Sequence, residues 1–303
     1  MPNPEHISNG IQELEQWLID LIDHGLSNPQ LNSDGYWQHI SRHMNDAGLR
    51  GISYSLEHIQ RLVSQQHENS NREVLDRLAE LYSLVCAYQQ FEKLPAVRQA
   101  DLEQQFGFTT RQTDLKDEAR YRDIWQVLDI SEYAPNYVAT QTVWLQGLHT
   151  HLYAYIQQSA VSRNYADTFD TNQCYHGDLS YYPSGWPLRA LLNSKQRLNG
   201  RPVHLRDGLS IDDLFSLSSQ AFAVQPWLKK FPITLGKVQL HYQDSQPNLI
   251  DQAGNRLPLV YFPGNMRYRL EKETIDVFGS YDGRRFVPLV AQHQDRLHPL
   301  GRK

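Results

Sequence analysis

Apolar residues recur at helical spacing through about the first 120 positions of the chain. From residue 11 to residue 22, isoleucine and leucine return every three or four residues with acidic side chains between them, which predicts an amphipathic helix. The same spacing predicts a second helix that carries Trp37, Ile40 and Met44, a third around residues 56–63 and a fourth around residues 74–85. The first part of the chain is therefore predicted to be helical.

The pattern changes near residue 120. Stretches at 125–130, 137–145, 148–156 and 238–242 alternate or are rich in β-branched and aromatic residues, which predicts strands. Asp282 and Gly283 lie between two apolar runs and predict a hairpin, because this dipeptide tolerates the positive φ of a tight turn. Helices are predicted over residues 211–222, with Ser210 as N-cap, and over residues 187–194.

Helices followed by strands predict an α+β protein. We expect an N-terminal helical domain over residues 1–118, then a mixed, mostly antiparallel β domain with one or two inserted helices over residues 119–292. Residues 293–303 are polar and are predicted to form a flexible tail.

Charge and cysteine content narrow the classes of function. The 303 residues carry a net charge of −5, which argues against bulk nucleic-acid binding because that function favours a basic domain. Two cysteines are too few for a disulfide framework or a four-cysteine zinc site, and Cys86 is predicted to lie in the core. No apolar run reaches the length of a membrane span, and the first residues lack a secretory signal, so we expect a cytoplasmic protein.

Two histidine pairs are candidate metal ligands. His39 and His43 lie four residues apart on one helix face, but Ile40 occupies the position where a metalloprotease carries its glutamate. His149 and His151 would share one face of a strand. Thirteen histidines make such pairs common, and we expect both pairs to be surface residues, with no metal and no cofactor.

The segment 175–191 concentrates the residue types that carry chemistry. A catalytic interpretation would use His176 as base, Asp178 as its orienting partner and Arg189 as an anion clamp. In the alternative interpretation a strand enters a helix opened by Pro187, and the aromatic side chains pack in the core. The candidate binding residues are His176, Asp178, Tyr181, Tyr182, Trp186 and Arg189. No residue is assigned a catalytic role.

The same segment, Leu179-Ser-Tyr-Tyr-Pro-Ser-Gly-Trp-Pro-Leu-Arg-Ala-Leu191, resembles the FYPSAYPLRALV stretch of bacterial SWIM zinc-finger family proteins. Further stretches are similar to family motifs in the same order. They lie at residues 44–52, 124–128, 142–147, 221–228 and 276–283. The resemblance extends over about residues 10–292.

The chain departs from that family in one respect. It lacks the Cys-x-Cys…Cys-x-His zinc module, so a role of that module cannot be carried over. Two alternatives stay open: the module resides on a separate SWIM zinc-finger chain, or it has been lost. The resemblance implies partners rather than a reaction, because genes of the family lie beside a MoxR-type AAA+ ATPase and a von Willebrand factor A protein. It offers no catalytic residue to transfer.

Three hypotheses follow. The first is a non-catalytic adaptor that binds protein partners through an apolar or aromatic patch on its helical half. The second is an enzyme or small-ligand binder with a concave site near residues 176–189, which requires Tyr181 and Arg189 to converge. The third is a nucleic-acid-binding accessory protein with a local basic face.

Overall fold

The fold combines a helical part with a part made of strands. The structure is a computed structural model that describes residues 4–26, 28–65, 70–108, 110–115, 119–134, 137–200, 203–205 and 208–301. The chain divides into two compact units, residues 1–110 and residues 111–303, called here the helical unit and the strand unit. A helical bundle is followed by antiparallel sheets with an inserted helix, which confirms the predicted α+β class.

The described residues of the helical unit form five α-helices and two short 3₁₀ helices, at Pro29–Asn32 and Phe91–Lys93. The α-helices are α1 (Pro4–His24), α2 (Asp34–Asp46), α3 (Arg50–Gln65), α4 (Ser70–Tyr88) and α5 (Ala96–Phe106). The first four coincide with the four periodic stretches of the sequence. The fifth was not predicted, because its apolar residues are few and widely spaced.

Short connections make successive helices run in opposite directions. Between α1 and α2 the rings of Trp17 and Trp37 lie 5.6 Å apart, and between α2 and α3 the hydroxyls of Ser41 and Ser53 are 2.8 Å apart. α3 approaches the end of α5 so closely at Gly51 that a Cβ atom there would overlap the carbonyl oxygen of Gln105. The core contains fully buried side chains from several helices: Leu14, Leu18, Trp37, Met44, Ile52, Leu56 and Phe106.

The strand unit contains eleven strands, two α-helices and a short 3₁₀ helix at Gln112–Leu115 in its described residues. The strands and α-helices are β1 (Arg120–Tyr133), β2 (Val138–Gly147), β3 (Tyr153–Val161), β4 (Cys174–Tyr181), β5 (Ala190–Leu198), α6 (Ile211–Val224), β6 (Phe231–Gln243), β7 (Gln246–Ile250), β8 (Arg256–Pro258), α7 (Gly264–Leu270), β9 (Thr274–Tyr281), β10 (Phe286–His293) and β11 (Arg296–Pro299). One sheet has the order β3-β2-β1-β4-β5 and the other β11-β10-β9-β6-β7-β8.

Each sheet curls around a core of its own. In the first sheet the amide of Tyr155 donates to the carbonyl of Leu188 at 2.7 Å, which joins β3 to the approach of β5. In the second, the amide of Val260 donates to the carbonyl of Phe286 at 2.9 Å. A third apolar cluster includes side chains from both sheets, such as Trp144 and Phe278, and packs the two against each other.

Two local predictions in the strand unit are confirmed. Ser210 begins α6 with a capping box, in which its hydroxyl accepts from the amide of Asp213 and the Asp213 carboxylate accepts from the amide of Ser210. The β9–β10 hairpin turns at Asp282 and Gly283, and Gly283 has φ 96°, as the dipeptide predicted.

Four local predictions are wrong. Residues 187–194 do not form a helix, since β5 begins at Ala190 and pairs with β4. Residues 148–152 form a turn before β3. The expected flexible tail instead contains β11, and Leu300 is fully buried behind it. Cys86 is exposed on α4. Long-range pairing and packing, which local pattern does not encode, decide each case.

No helix in the described ranges combines the length and the apolar character that a membrane span requires.

Candidate functional site

β4 carries the first two candidate residues, His176 and Asp178, on one face. Side chains alternate along a strand, so the intervening positions point to the other face, where Tyr175 and Leu179 join the core of the first sheet. His176 is exposed, whereas Asp178 is buried. The predicted sharing of one strand face by the histidine and the carboxylate is therefore present.

Asp178 is paired with an arginine that the sequence analysis did not single out. Arg122 is its Cα partner on β1, and its Nε and second guanidinium nitrogen donate to the two carboxylate oxygens at 2.8 Å and 3.2 Å. This hydrogen-bonded pair is the main cause of the lowered pKa of Asp178, to which His176 adds only a smaller electrostatic attraction. The carboxylate thus pairs with Arg122 and does not act as the orienting partner of His176.

Tyr181 points to the opposite face of β4. Its hydroxyl donates to the carbonyl of Tyr153 at 3.0 Å, and its ring meets that of Tyr121 edge to face at 5.2 Å. Burial raises the pKa of Tyr181, so its phenol stays protonated at neutral pH. These contacts give Tyr181 a role in packing the sheet.

The remaining three candidates lie in the connection between β4 and β5. The amide of Tyr182 donates to the carbonyl of Arg189 at 2.9 Å, and the Arg189 guanidinium lies 4.4 Å from the centre of the buried Tyr182 ring. Trp186 packs on the core of the second sheet, 5.8 Å from the Phe231 ring. The structure therefore brings His176 and Asp178 together on one face of β4 and Tyr182 and Arg189 together in the connection, while Tyr181 and Trp186 contact other parts of the strand unit.

A buried carboxylate, Asp123, organises the neighbouring β2–β3 turn. It accepts hydrogen bonds from the amides of Ile124, His149 and Thr150, from the Thr150 hydroxyl at 2.6 Å and from the ring of His149 at 2.7 Å. Burial alone would raise the pKa of Asp123, but these donors together lower it to about 2. No sequence motif indicated this cluster, because His149 and Thr150 lie 26 and 27 positions after Asp123 in the sequence.

His149 belongs to this turn and not to a strand, and His151 has a positive φ of 59°, so the two do not share a strand face. His39 and His43 are both exposed on α2, as expected, with rings 4.8 Å apart. Within the described ranges, no group of three histidine, cysteine or acidic residues is placed to hold a metal ion.

Asp129 on β1 is a second buried carboxylate with a different environment. It is 6% exposed, and within the described part of the chain its Oδ2 has no hydrogen-bond partner. Burial raises its pKa to about 6, although the amide of Ile130 and the charge of Lys230 offset part of that rise. An incompletely satisfied polar group of this kind costs folding free energy.

The helical unit leaves an apolar surface uncovered where α1 lies beside α4. Glu15 of α1 accepts a hydrogen bond at 2.9 Å from Gln89, which directly follows the end of α4. Since α4 runs antiparallel to α1, the second half of α1 continues along α4 from that contact. On this side of α1 the positions after Glu15 therefore run alongside α4. They lie next to the positions of α4 that come before Gln89.

Four large apolar side chains are exposed on these two neighbouring helices, and we call this set the α1/α4 stripe. Their exposed fractions are 39% for Ile19, 70% for Ile22, 54% for Leu75 and 41% for Tyr82. On each helix these positions lie beside the buried, core-facing residues and not among them. Grouped exposure of this kind marks an interaction surface more often than scattered single residues do.

This architecture corresponds to a known domain. Residues 3–106 match the family model of the SWIM-associated four-helix bundle domain. The match supports the N-terminal part of the resemblance that the sequence indicated. Comparison with curated proteins and with solved structures found no match.

The helical unit has an uneven charge distribution around the stripe. α1 contains five carboxylates, Glu5, Glu13, Glu15, Asp20 and Asp23, and no lysine or arginine. α4 contains three acidic and two basic residues. Glu13 contacts His43 of α2 and so lies away from the stripe, whereas Glu15 and Asp23 give the stripe an acidic border on α1. On α4, Arg72 and Asp76 contribute opposite charges.

Proposed function

We propose that the chain is a non-catalytic adaptor whose SWIM-associated bundle docks a protein partner on the α1/α4 stripe. The observation that carries the proposal is the exposure of four large apolar side chains on two neighbouring helices. Transfer of exposed apolar surface from water into an interface is favourable and stabilises the complex with the partner. Apolar and aromatic anchors at the centre of an interface supply most of its binding free energy.

The strand unit supports the same proposal because most of its candidate residues are engaged in contacts within that unit. Asp178 is neutralised by Arg122, Tyr181 is bonded to a backbone carbonyl, and Trp186 packs in a core. Of the three groups in the catalytic interpretation, Asp178 is bound by Arg122 and Arg189 lies over the Tyr182 ring, while His176 is exposed. An enzymatic function would instead require several of them to converge on one concave site.

The resemblance names candidate partners. We propose a MoxR-type AAA+ ATPase and a von Willebrand factor A protein, with a separate SWIM zinc-finger chain as a further partner, and we propose that the complex works in the cytoplasm. An adaptor without a catalytic centre of its own would act by bringing such proteins together.

The test is affinity capture of purified candidate partners with ATP present. We expect the wild-type chain to retain the ATPase or the von Willebrand factor A protein, and the double variant Ile22→Ser/Leu75→Ser to lose at least about tenfold in affinity, because truncated anchors cost about 1 kcal/mol or more each. Tyr54→Ser is the matched control, since Tyr54 is 68% exposed on α3. Retention of neither partner, or equal retention by the double variant, would refute the proposal.

A further inference from the structure

We infer that the occupant of the α1/α4 stripe is an amphipathic helix of the partner protein that carries lysine and arginine beside its apolar face. This inference rests on the docking function proposed above and adds the chemistry of the partner. It follows from the shape of the junction between the two helices and from the charges along its border.

The shape of the stripe fits a third helix. On α4 the exposed small and large apolar residues Leu75, Ala79, Tyr82 and Cys86 follow one another at intervals of four, three and four positions. At 1.5 Å per residue this row is about 16 Å long, which is the length of about three helical turns. An extended strand would need backbone partners, which a closed helix surface does not offer, whereas a helix buries its apolar row between two others.

The charge of the border selects the partner. Glu15 and Asp23 flank Ile19 and Ile22 in helical position, and α1 offers no lysine or arginine that could neutralise them. Positive side chains on the incoming helix would be attracted to this border, which steers association and fixes orientation. A second copy of this chain would bring its own acidic α1 against the same border, and like charges would oppose that contact.

The two borders differ in charge. On α4 the opposite charges of Arg72 and Asp76 offset each other beside the stripe, so the basic flank of the partner helix is expected to face the acidic border on α1. Removing negative charge from α1 should weaken binding, whereas removing it from distant helices should not. Comparing the two sets of variants distinguishes binding at the acidic border of α1 from attraction to the net negative charge of the whole chain.

Binding of two designed peptides by the full chain, followed by fluorescence polarisation, tests the inference. Both are 18-residue amphipathic helices with a leucine and alanine face, and they differ only in carrying lysine or glutamate beside it. We expect the lysine peptide to bind at least about tenfold more tightly and to lose affinity as salt increases. Glu15→Gln/Asp23→Asn should weaken it about fivefold. The charge-matched control Asp46→Asn/Glu103→Gln should leave it unchanged.

The outcomes separate the two proposals. Equal binding of both peptides, lost in Ile22→Ser/Leu75→Ser, would overturn the inference about charge and leave docking intact. Capture of a partner through the stripe without binding of either peptide would overturn the inference of a helix. Binding of the lysine peptide that survives Ile22→Ser/Leu75→Ser would show attraction to general acidity and would also overturn it. Far-UV circular dichroism verifies that each variant keeps its helices.

Discussion

The segment 176–189 and the α1/α4 stripe differ in how their side chains are used. The segment is rich in the residue types of active sites, yet its carboxylate, phenols and indole contact other parts of the strand unit. The stripe consists of ordinary isoleucine, leucine and tyrosine, but the helical unit leaves these residues exposed. We therefore infer a functional surface from apolar side chains that the fold leaves exposed. A high density of reactive residue types does not indicate one here.

The largest difference in stability should appear when one tyrosine in each region is replaced by alanine. Tyr182 is buried beneath Arg189, so Tyr182→Ala should lower the free energy of unfolding by about 3 kcal/mol through lost burial and the cavity left behind. Tyr82→Ala on the stripe should change it by less than about 0.5 kcal/mol. Urea unfolding followed by tryptophan fluorescence measures both.

Equal effects of the two tyrosine substitutions would break the comparison. A large loss of unfolding free energy in Tyr82→Ala would mean that the stripe is part of the folded core. A negligible loss in Tyr182→Ala would mean that the segment does not stabilise the fold and is available for binding.

Asp129 tests the comparison from within the strand unit. Unlike the polar side chains of the segment 176–189, it is buried with one carboxylate oxygen, Oδ2, that lacks a hydrogen-bond partner among the described residues. Its folded-state pKa of about 6 lies above the ordinary 3.8, so the folded state binds the proton more tightly than the unfolded state does. The resulting penalty is absent below pH 3.8, grows between pH 3.8 and 6, and reaches about 3 kcal/mol above that range. Asp129→Asn should therefore stabilise the protein at pH 8 and have little effect at pH 4.

Urea midpoints of the wild type and of Asp129→Asn at the two pH values provide the measurement. A destabilised variant at pH 8 would indicate that the carboxylate is satisfied as an anion and that its apparent lack of a partner is not a cost.

Asp123 should behave in the opposite way. Its folded-state pKa of about 2 lies below 3.8, so it contributes stability that is present above pH 3.8 and is lost as the pH falls toward 2. The shift corresponds to about 2 kcal/mol. Asp123→Asn should lose about that amount at pH 7 and differ little from wild type near pH 2, as measured by thermal unfolding. A loss that is the same at both pH values would point to packing and not to the charge of the carboxylate.

The sequence predicted the elements whose patterns are local. The periodic apolar positions of α1 and α4, the Ser210 cap and the Asp282–Gly283 turn each depend on residues within a few positions of one another. Pro187 indicated a helix because proline favours a first helical turn, but pairing with β4 makes the following residues a strand. Burial of Leu300 depends on the second sheet, which a polar tail does not reveal.

The candidate site was harder to predict than the fold for the same reason. The sharing of one strand face by His176 and Asp178 follows from spacing alone, and it was predicted. The ion pair with Arg122 and the hydrogen bonds of Asp123 join residues 56 and 26 positions apart, and only strand pairing brings them together. The stripe depends likewise on which helices become neighbours, since each helix alone presents only isolated exposed apolar residues.

The smallest expected effect tests the catalytic alternative directly. His176 is exposed on β4, and the adjacent carboxylate pairs with Arg122, so His176→Ala should change the free energy of unfolding by less than about 0.5 kcal/mol. Partner capture by this variant should also equal that of wild type, because docking is assigned to the helical unit. Loss of capture or of any measured turnover in His176→Ala, with stability unchanged, would return the segment to consideration as the functional centre. An unchanged variant in both assays would leave the α1/α4 stripe as the surface on which function depends.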